Sequence, residues 1–264
     1  MPSIRLLSAC FLAATIMTCI APQLSYGNTL SDLRAGNEIT VVTLGTSLTR
    51  GHPTADASWV PGFEAWLKSE ANDPNDVTLF NVAVSASSSS NANIGLSGVD
   101  TQLPQALFRS PDLVFIEFGF NDANLAYNIS LQQSEQNLNT MIDAFIDQNA
   151  QVEIVLMTMN NPSQSVQSST RPLINQYYDV YRDVAADRNL TIVDNYLNWK
   201  ELADTNPSLW STYVPDGIHP TQQGVEAITI PNIISALNAV PEPASMSSLM
   251  IASSLVLRRR RMAI

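Results

Sequence analysis

Apolar residues along this chain fall into two rhythms that alternate. Ile39–Gly45 (ITVVTLG) is a short β-branched run that closes on a glycine, the pattern of a strand buried on both faces. Similar runs recur at 77–84 (VTLFNVAV), 112–119 (DLVFIEFG), 152–159 (VEIVLMTM) and, more briefly, at 190–193. Between them lie stretches with apolar residues at helical spacing: 59–71, 131–149, 171–188 and 222–237. The second of these puts Leu138, Ile142, Phe145 and Ile146 on one face. Pro172 stands near the first turn of the third, where proline is tolerated. Strands alternating with helices of ten or more residues predict βαβ units and a parallel sheet covered on both sides. Five such strands predict an α/β domain over 28–239.

Both ends break this rhythm. Residues 1–27 hold one arginine, the apolar run 6–20, and then small residues after Ala21-Pro22. That is the layout of a secretory signal peptide, with cleavage after Ala21 or near Gly27. At the other end, Val240-Pro241-Glu242-Pro243 precedes an apolar stretch at 246–257 and four arginines at 258–261. The stretch is short against the ~20 residues of a usual spanning helix. The arginine block would hold its end on the cytoplasmic side.

Charge and cysteine usage then narrow the classes. The net charge is −11, yet five of the thirteen basic residues and none of the 24 acidic ones lie in residues 1–27 and 246–264. The body is therefore more acidic than the total, which disfavours nucleic acid and anionic membranes as partners. Cys10 and Cys19 both fall in the presumed leader, leaving the mature chain without thiols or a disulfide framework. His52 lies in a polar loop with no cluster of metal-ligating residues around it, so neither a metal nor a cofactor is expected. Trp59, Trp66, Trp199 and Trp210 read as packing residues before sugar platforms. The serine-rich 85–93 (SASSSSNAN) reads by composition as a flexible loop, placed directly after a strand.

The candidate chemistry sits at strand ends. Gly45-Thr46-Ser47 closes the first strand, Ser85-Ala86-Ser87 follows the second, Gly119-Phe120-Asn121-Asp122 follows the third, and Asp216-Gly217-Ile218-His219 precedes the last helix. All strand ends of a parallel sheet lie along one edge, so these segments can converge. A serine hydroxyl needs a base to take its proton, and the base needs a group that fixes its tautomer. Asp216 and His219 have the chemistry for the last two parts, and a strand-end serine for the first.

These four segments, in this order, resemble the SGNH (GDSL) hydrolase family over about 39–236. The resemblance implies a flavodoxin-like three-layer α/β/α sandwich and a hydrolase of ester or related acyl bonds. It implies Ser47 as nucleophile, His219 as general base and then acid, and Asp216 as the residue that orients His219. It further implies an oxyanion hole from the N–H of Ser47, the N–H of Ala86 and the side-chain amide of Asn121. Two positions depart from the family pattern. Thr46 stands in place of aspartate, which predicts altered local hydrogen bonding. Ala86 stands in place of glycine, a change that keeps the backbone donor unless the loop requires positive φ; Ser85 or Ser87 is the alternative equivalent.

The tail 240–264 resembles the PEP-CTERM sorting signal, which implies an exosortase-type partner and transient membrane association; a plain tail anchor is the alternative. Together these features predict an exported esterase, periplasmic, cell-surface or extracellular. Its expected substrate is a carboxylic ester, with O-acetyl groups of polysaccharides favoured by the export context. A lipolytic or short-chain acyl esterase, a thioesterase, and a non-catalytic surface protein on the same fold are the alternatives. Retention of all four motif residues argues against the last.

Overall fold

The computed structural model describes residues 28–51, 57–90 and 97–240. The leader, His52 and the tail all lie outside them. Five parallel strands, β1 (Ile39–Gly45), β2 (Val77–Asn81), β3 (Leu113–Glu117), β4 (Glu153–Thr158) and β5 (Thr191–Asp194), form one sheet in the order β2-β1-β3-β4-β5. This is the doubly wound order in which crossovers run to both sides of the first strand. Val41 pairs with Leu113 and Gly45 with Glu117, so the ends of β1 and β3 lie level at one edge.

Alternation along each strand builds the two cores. Val41, Phe115, Val155 and Val193 face one side, where Trp59, Phe63, Leu67, Ile233 and Leu237 pack over them. Val42, Leu44, Val114, Ile116, Ile154 and Leu156 face the other, under Leu138, Ile142, Phe145 and Val184. On the first side Trp59, Phe63 and Phe115 meet with ring centroids 5.0–5.7 Å apart. Tilted and edge-on pairs of this kind add ~0.5–1.5 kcal/mol each beyond their buried area. The result is the three-layer sandwich that the alternating pattern predicts.

Helix starts follow from local chemistry. Ser58 caps Trp59–Glu70, Ser130 caps Leu131–Gln148 and Ser163 caps Gln164–Thr170, each side chain accepting a first-turn N–H.

Several expected bounds move. The helix expected over 171–188 starts at Ile174, preceded by a separate helix Gln164–Thr170. Arg171 breaks the path at φ −136°, ψ 53°, because the residue before a proline is pushed out of the helical region. β2 ends at Asn81, whose Oδ1 accepts from Ala83 N and Thr43 Oγ1 and turns the chain. The last helical stretch is interrupted by a wide turn over Val225–Thr229 and resumes as Ile230–Ala239, where Pro231 offers no N–H to the preceding turn. Helices at Asn195–Thr205 and Pro207–Tyr213 were not evident in the apolar pattern.

The flexible-loop expectation fails for residues 87–89, and residues 91–93 lie outside the described residues. Ser87, Ser88 and Ser89 are buried, and their polar atoms are tied to β1, to Ser97 and to Asp122. Small side chains let this segment run through the interior where bulkier ones would not fit. Trp59, Trp199 and Trp210 are buried and Trp66 partly so, all in core clusters.

Candidate active site

The strand-end edge gathers residues that lie far apart in the chain. Thr46 leaves β1 in an extended conformation and caps the short helix Ser47–Arg50, accepting from Leu48 N at 3.2 Å. This turn lifts Ser47 out of the buried strand while its neighbours stay covered. Ser47 Oγ then lies 2.9 Å from His219 Nε2. His219 Nδ1 lies 2.7 Å from Asp216 Oδ2. Asp216 Oδ1 also accepts the backbone N–H of Ile218 at 2.8 Å and of His219 at 2.6 Å.

Partial burial pushes the Asp216 carboxyl up, but the bonds from His219 and the two amides outweigh it and hold the group below the usual aspartate range. An ionised carboxylate only accepts, so Nδ1 carries the proton and neutral His219 turns its Nε2 lone pair to the Ser47 hydroxyl. The loop that holds this pair needs Gly217. Its φ is +76°, and a Cβ there would meet Ser163 Oγ at 2.4 Å. Ser163 N donates to Gly217 O and Asn160 Nδ2 to Ile218 O, both at 2.8 Å, which ties the loop to the segment after β4.

Three donors are left over by the hydrogen bonds among the described residues. Among the described residues, the backbone N–H groups of Ser47 and Ala86 donate to no acceptor. Asn121 is only 6% exposed in the short helix Gly119–Asp122, and its Nδ2 gives one N–H to Ser87 O at 2.7 Å, leaving the other. Ala86 sits at φ +62°, so this loop does require the left-handed conformation that glycine takes without cost. Tyr127 Oη braces it by donating to Ala86 O at 3.0 Å.

Beneath the motif lies support that the sequence pattern did not single out. Gln102, fully buried, accepts from Gly45 N at 2.8 Å and donates to Gly45 O at 3.0 Å and Ser87 Oγ at 2.9 Å. It clamps the end of β1 to the 85–90 segment. Glu117, the last residue of β3, is buried under Thr46. Burial pushes its carboxyl up to about 8, against the lowering effect of the Thr46 and Thr49 bonds. Asp122 accepts from Ser89 N at 2.8 Å and Ser134 Oγ at 2.6 Å, and burial raises it to about 6. The one signal for Glu117 and Gln102 is an acidic or amide residue inside or next to an apolar run.

Beside Asn121–Asp122 a cavity of about 310 Å³ is lined by Asp122, Leu125, Asn128, Ile129, Leu173 and Tyr177, among others. Phe118 and Phe120 are buried and take no part in it, whereas Leu125 is 61% and Leu173 43% exposed at its rim.

A family model described as GDSL-like Lipase/Acylhydrolase matches residues 43–227. Comparison with curated protein sequences gives no match. Among solved structures, a lipase/acylhydrolase from Enterococcus faecalis superposes with a TM-score of 0.59 at 22% identity, covering 78% of this chain and 99% of that one. Axe2, an acetylxylan esterase from Geobacillus stearothermophilus, superposes with a TM-score of 0.59 at 19% identity, covering 77% of this chain and 96% of that one. At these identities the likeness establishes the fold.

Proposed function

The chain belongs to the GDSL-like lipase/acylhydrolase family and is an ester hydrolase, and from that premise we propose that Ser47, His219 and Asp216 carry the reaction through an acyl-enzyme. The observation behind this is the unbroken line from Ser47 Oγ to His219 to the Asp216 carboxylate, at 2.9 and 2.7 Å. In the first half-reaction His219 Nε2 takes the Ser47 proton as Oγ bonds to the ester carbonyl carbon. The carbonyl oxygen becomes an oxyanion, received by Ser47 N, Ala86 N and Asn121 Nδ2. On collapse the ester C–O bond breaks and His219 protonates the departing alcohol. Water then attacks the acyl-serine with His219 again as base, releasing the carboxylic acid and restoring Ser47. Preorganised donors of this kind are worth ~10²–10³ in rate each.

The substrate reading is an O-acetyl ester of a carbohydrate, processed outside the cytoplasm by an exported, surface-sorted enzyme. It is supported by the leader-like and PEP-CTERM-like ends and by the fold shared with an enzyme named as an acetylxylan esterase. A second reading, esters of longer acyl chains, is favoured by the exposed Leu125 and Leu173 at the rim of the cavity. Hydrolysis of p-nitrophenyl acetate, longer p-nitrophenyl esters and acetylated xylan, with Ser47→Ala alongside, separates them. The acetyl reading expects the highest kcat/KM on acetyl esters and release of acetate from the glycan. A preference that climbs with chain length overturns it, and turnover that survives in Ser47→Ala overturns the nucleophile.

A further inference from the structure

Arg171 is a buried cation with no anion beside it among the described residues. It occupies the break between the helices Gln164–Thr170 and Ile174–Arg188 and is 5% exposed. Among the described residues no carboxylate lies within ion-pair distance of it. Its guanidinium instead donates through Nε to Phe120 O at 2.9 Å, through Nη1 to Thr170 Oγ1 at 3.0 Å and through Nη2 to Asn121 Oδ1 at 3.3 Å. The plane also lies over the Phe120 ring, 4.4 Å from its centroid. Taking a charge out of water without an opposite charge costs several kcal/mol, and neutral donors would hold the same three oxygens. Burial weakens the hold of Arg171 on its proton, yet a guanidinium stays charged at any physiological pH.

The placement of that charge explains its retention. Asn121 is gripped at both ends of its amide, Oδ1 by Arg171 and Nδ2 by Ser87 O. A flipped amide would set NH₂ against the guanidinium donors and Oδ1 against a carbonyl, so one orientation alone satisfies both ends. The amide is also a single conjugated unit. A cation at its oxygen draws density from its nitrogen and makes the remaining N–H a stronger donor. We propose that Arg171 is a positioning residue for ester hydrolysis, which locks the Asn121 amide and polarises its free N–H toward the oxyanion. The buried positive charge then finds its counter-charge only when the tetrahedral intermediate forms. An interaction that strengthens only in the transition state appears in kcat and leaves KM largely unchanged.

The inference rests on the assignment of Asn121 as an oxyanion donor, and the experiment keeps the two apart. Wild type, Asn121→Ala, Arg171→Gln, Arg171→Lys and the double variant Asn121→Ala/Arg171→Gln are compared in steady-state hydrolysis of p-nitrophenyl acetate, with thermal melts as a check on folding. Asn121→Ala is expected to lower kcat ~10²-fold. Arg171→Gln is expected to lower kcat at least ~10-fold with KM within about twofold, and Arg171→Lys to fall between it and wild type. In the Asn121→Ala background, loss of Arg171 should cost less than about threefold more, because the two act as one unit. An unchanged kcat in Arg171→Gln, or costs that simply multiply in the double variant, overturns the role of Arg171 while leaving Asn121 in place. An unchanged kcat in Asn121→Ala overturns both. Should Arg171→Gln fail to fold, Arg171→Lys decides. Lysine lacks the planar fork whose separate nitrogens reach Phe120 O and Asn121 Oδ1, so kcat falls at least about threefold with KM held, and an unchanged kcat sinks the proposal.

Discussion

The Thr46 hydroxyl donates to Glu117 Oε2 at 2.9 Å, and the Thr46 backbone N–H reaches the same oxygen at 3.1 Å. Thr49 Oγ1 adds a third donor at 3.2 Å. The turn that presents Ser47 is thus nailed to the end of β3 by one buried carboxyl group. Thr46 stands where the family pattern has aspartate, and a second carboxyl at that point would face Glu117. Threonine supplies a donor there instead.

Glu117 makes stability depend on pH. Its folded value is raised to about 8 from an ordinary 4.5, so the folded state keeps a proton that the unfolded chain gives up. The stabilisation is fully present below pH ~4.5 and drains away as pH rises to about 8, by at most ~1.4 kcal/mol for each pH step of one. Asp122, raised to about 6, adds a smaller loss of the same sign between its ordinary value and pH 6. Urea unfolding of wild type and Glu117→Gln at pH 5, 6.5 and 8 checks this. The variant is expected to start less stable, since a buried amide NH₂ replaces an oxygen that has no partner among the described residues, and to lose less stability across the range. Parallel curves would show that Glu117 does not titrate there.

Ala86→Gly relieves the left-handed strain at φ +62° while keeping the N–H. The strain costs ~1–2 kcal/mol, and glycine's extra freedom in the unfolded chain returns ~0.5–1 kcal/mol of it. A net gain of up to about 1.5 kcal/mol in chemical denaturation is expected, with kcat within about twofold. Ala86→Pro removes the donor and forbids the φ, and is expected to lower kcat ~10²-fold or more.

Gly217→Ala strains a φ of +76° and drives a methyl into Ser163. We expect a loss of ~1–3 kcal/mol by thermal unfolding. kcat should fall further than stability alone accounts for, because the displaced segment carries both Asp216 and His219. Gly62→Ala is a control, since its Cβ would meet only the end of the Ile230 side chain. It should change stability with little effect on kcat.

Asp216→Asn tests whether the carboxylate sets the His219 tautomer. An amide can accept or donate at Nδ1, so the proton is no longer held there and Nε2 ceases to be a reliable base. A drop of ~10²–10⁴ in kcat with a small change in KM is expected from single-turnover and steady-state assays.

Much of the fold and the site is legible in the amino-acid pattern alone. The central strands β1, β3 and β4 appear as mostly apolar runs because they are buried on both faces, the edge strands β2 and β5 are only half-buried, and Gly45 and Gly119 mark where two of those runs give way to short helices. Ser47, Asn121, Asp216 and His219 stand in short motifs whose neighbours in sequence are also their supports. The remainder depends on contacts between distant segments. Nothing local to Gln102 says that it will clamp Gly45, 57 residues away. Serines 87–89 look like part of a flexible loop by composition, and only the polar groups of β1, Ser97 and Asp122 make them an interior segment. Arg171 in sequence is one more charge at a helix start. Its burial over Phe120 follows from the kink that Pro172 imposes.

The acid and the base of this site are three residues apart, whereas the base and the serine are 172 apart. A single turn of chain therefore carries the acid and the base together, held in part by its own N–H hydrogen bonds, and folding has to bring Ser47, Ala86 and Asn121 to it from other strand ends. Insertions or a new chain start between the two halves leave the Asp216–His219 cassette intact. Heat or denaturant that loosens the sheet edge should open the joint between Ser47 and His219 before any other, and the enzyme should fall silent before it unravels.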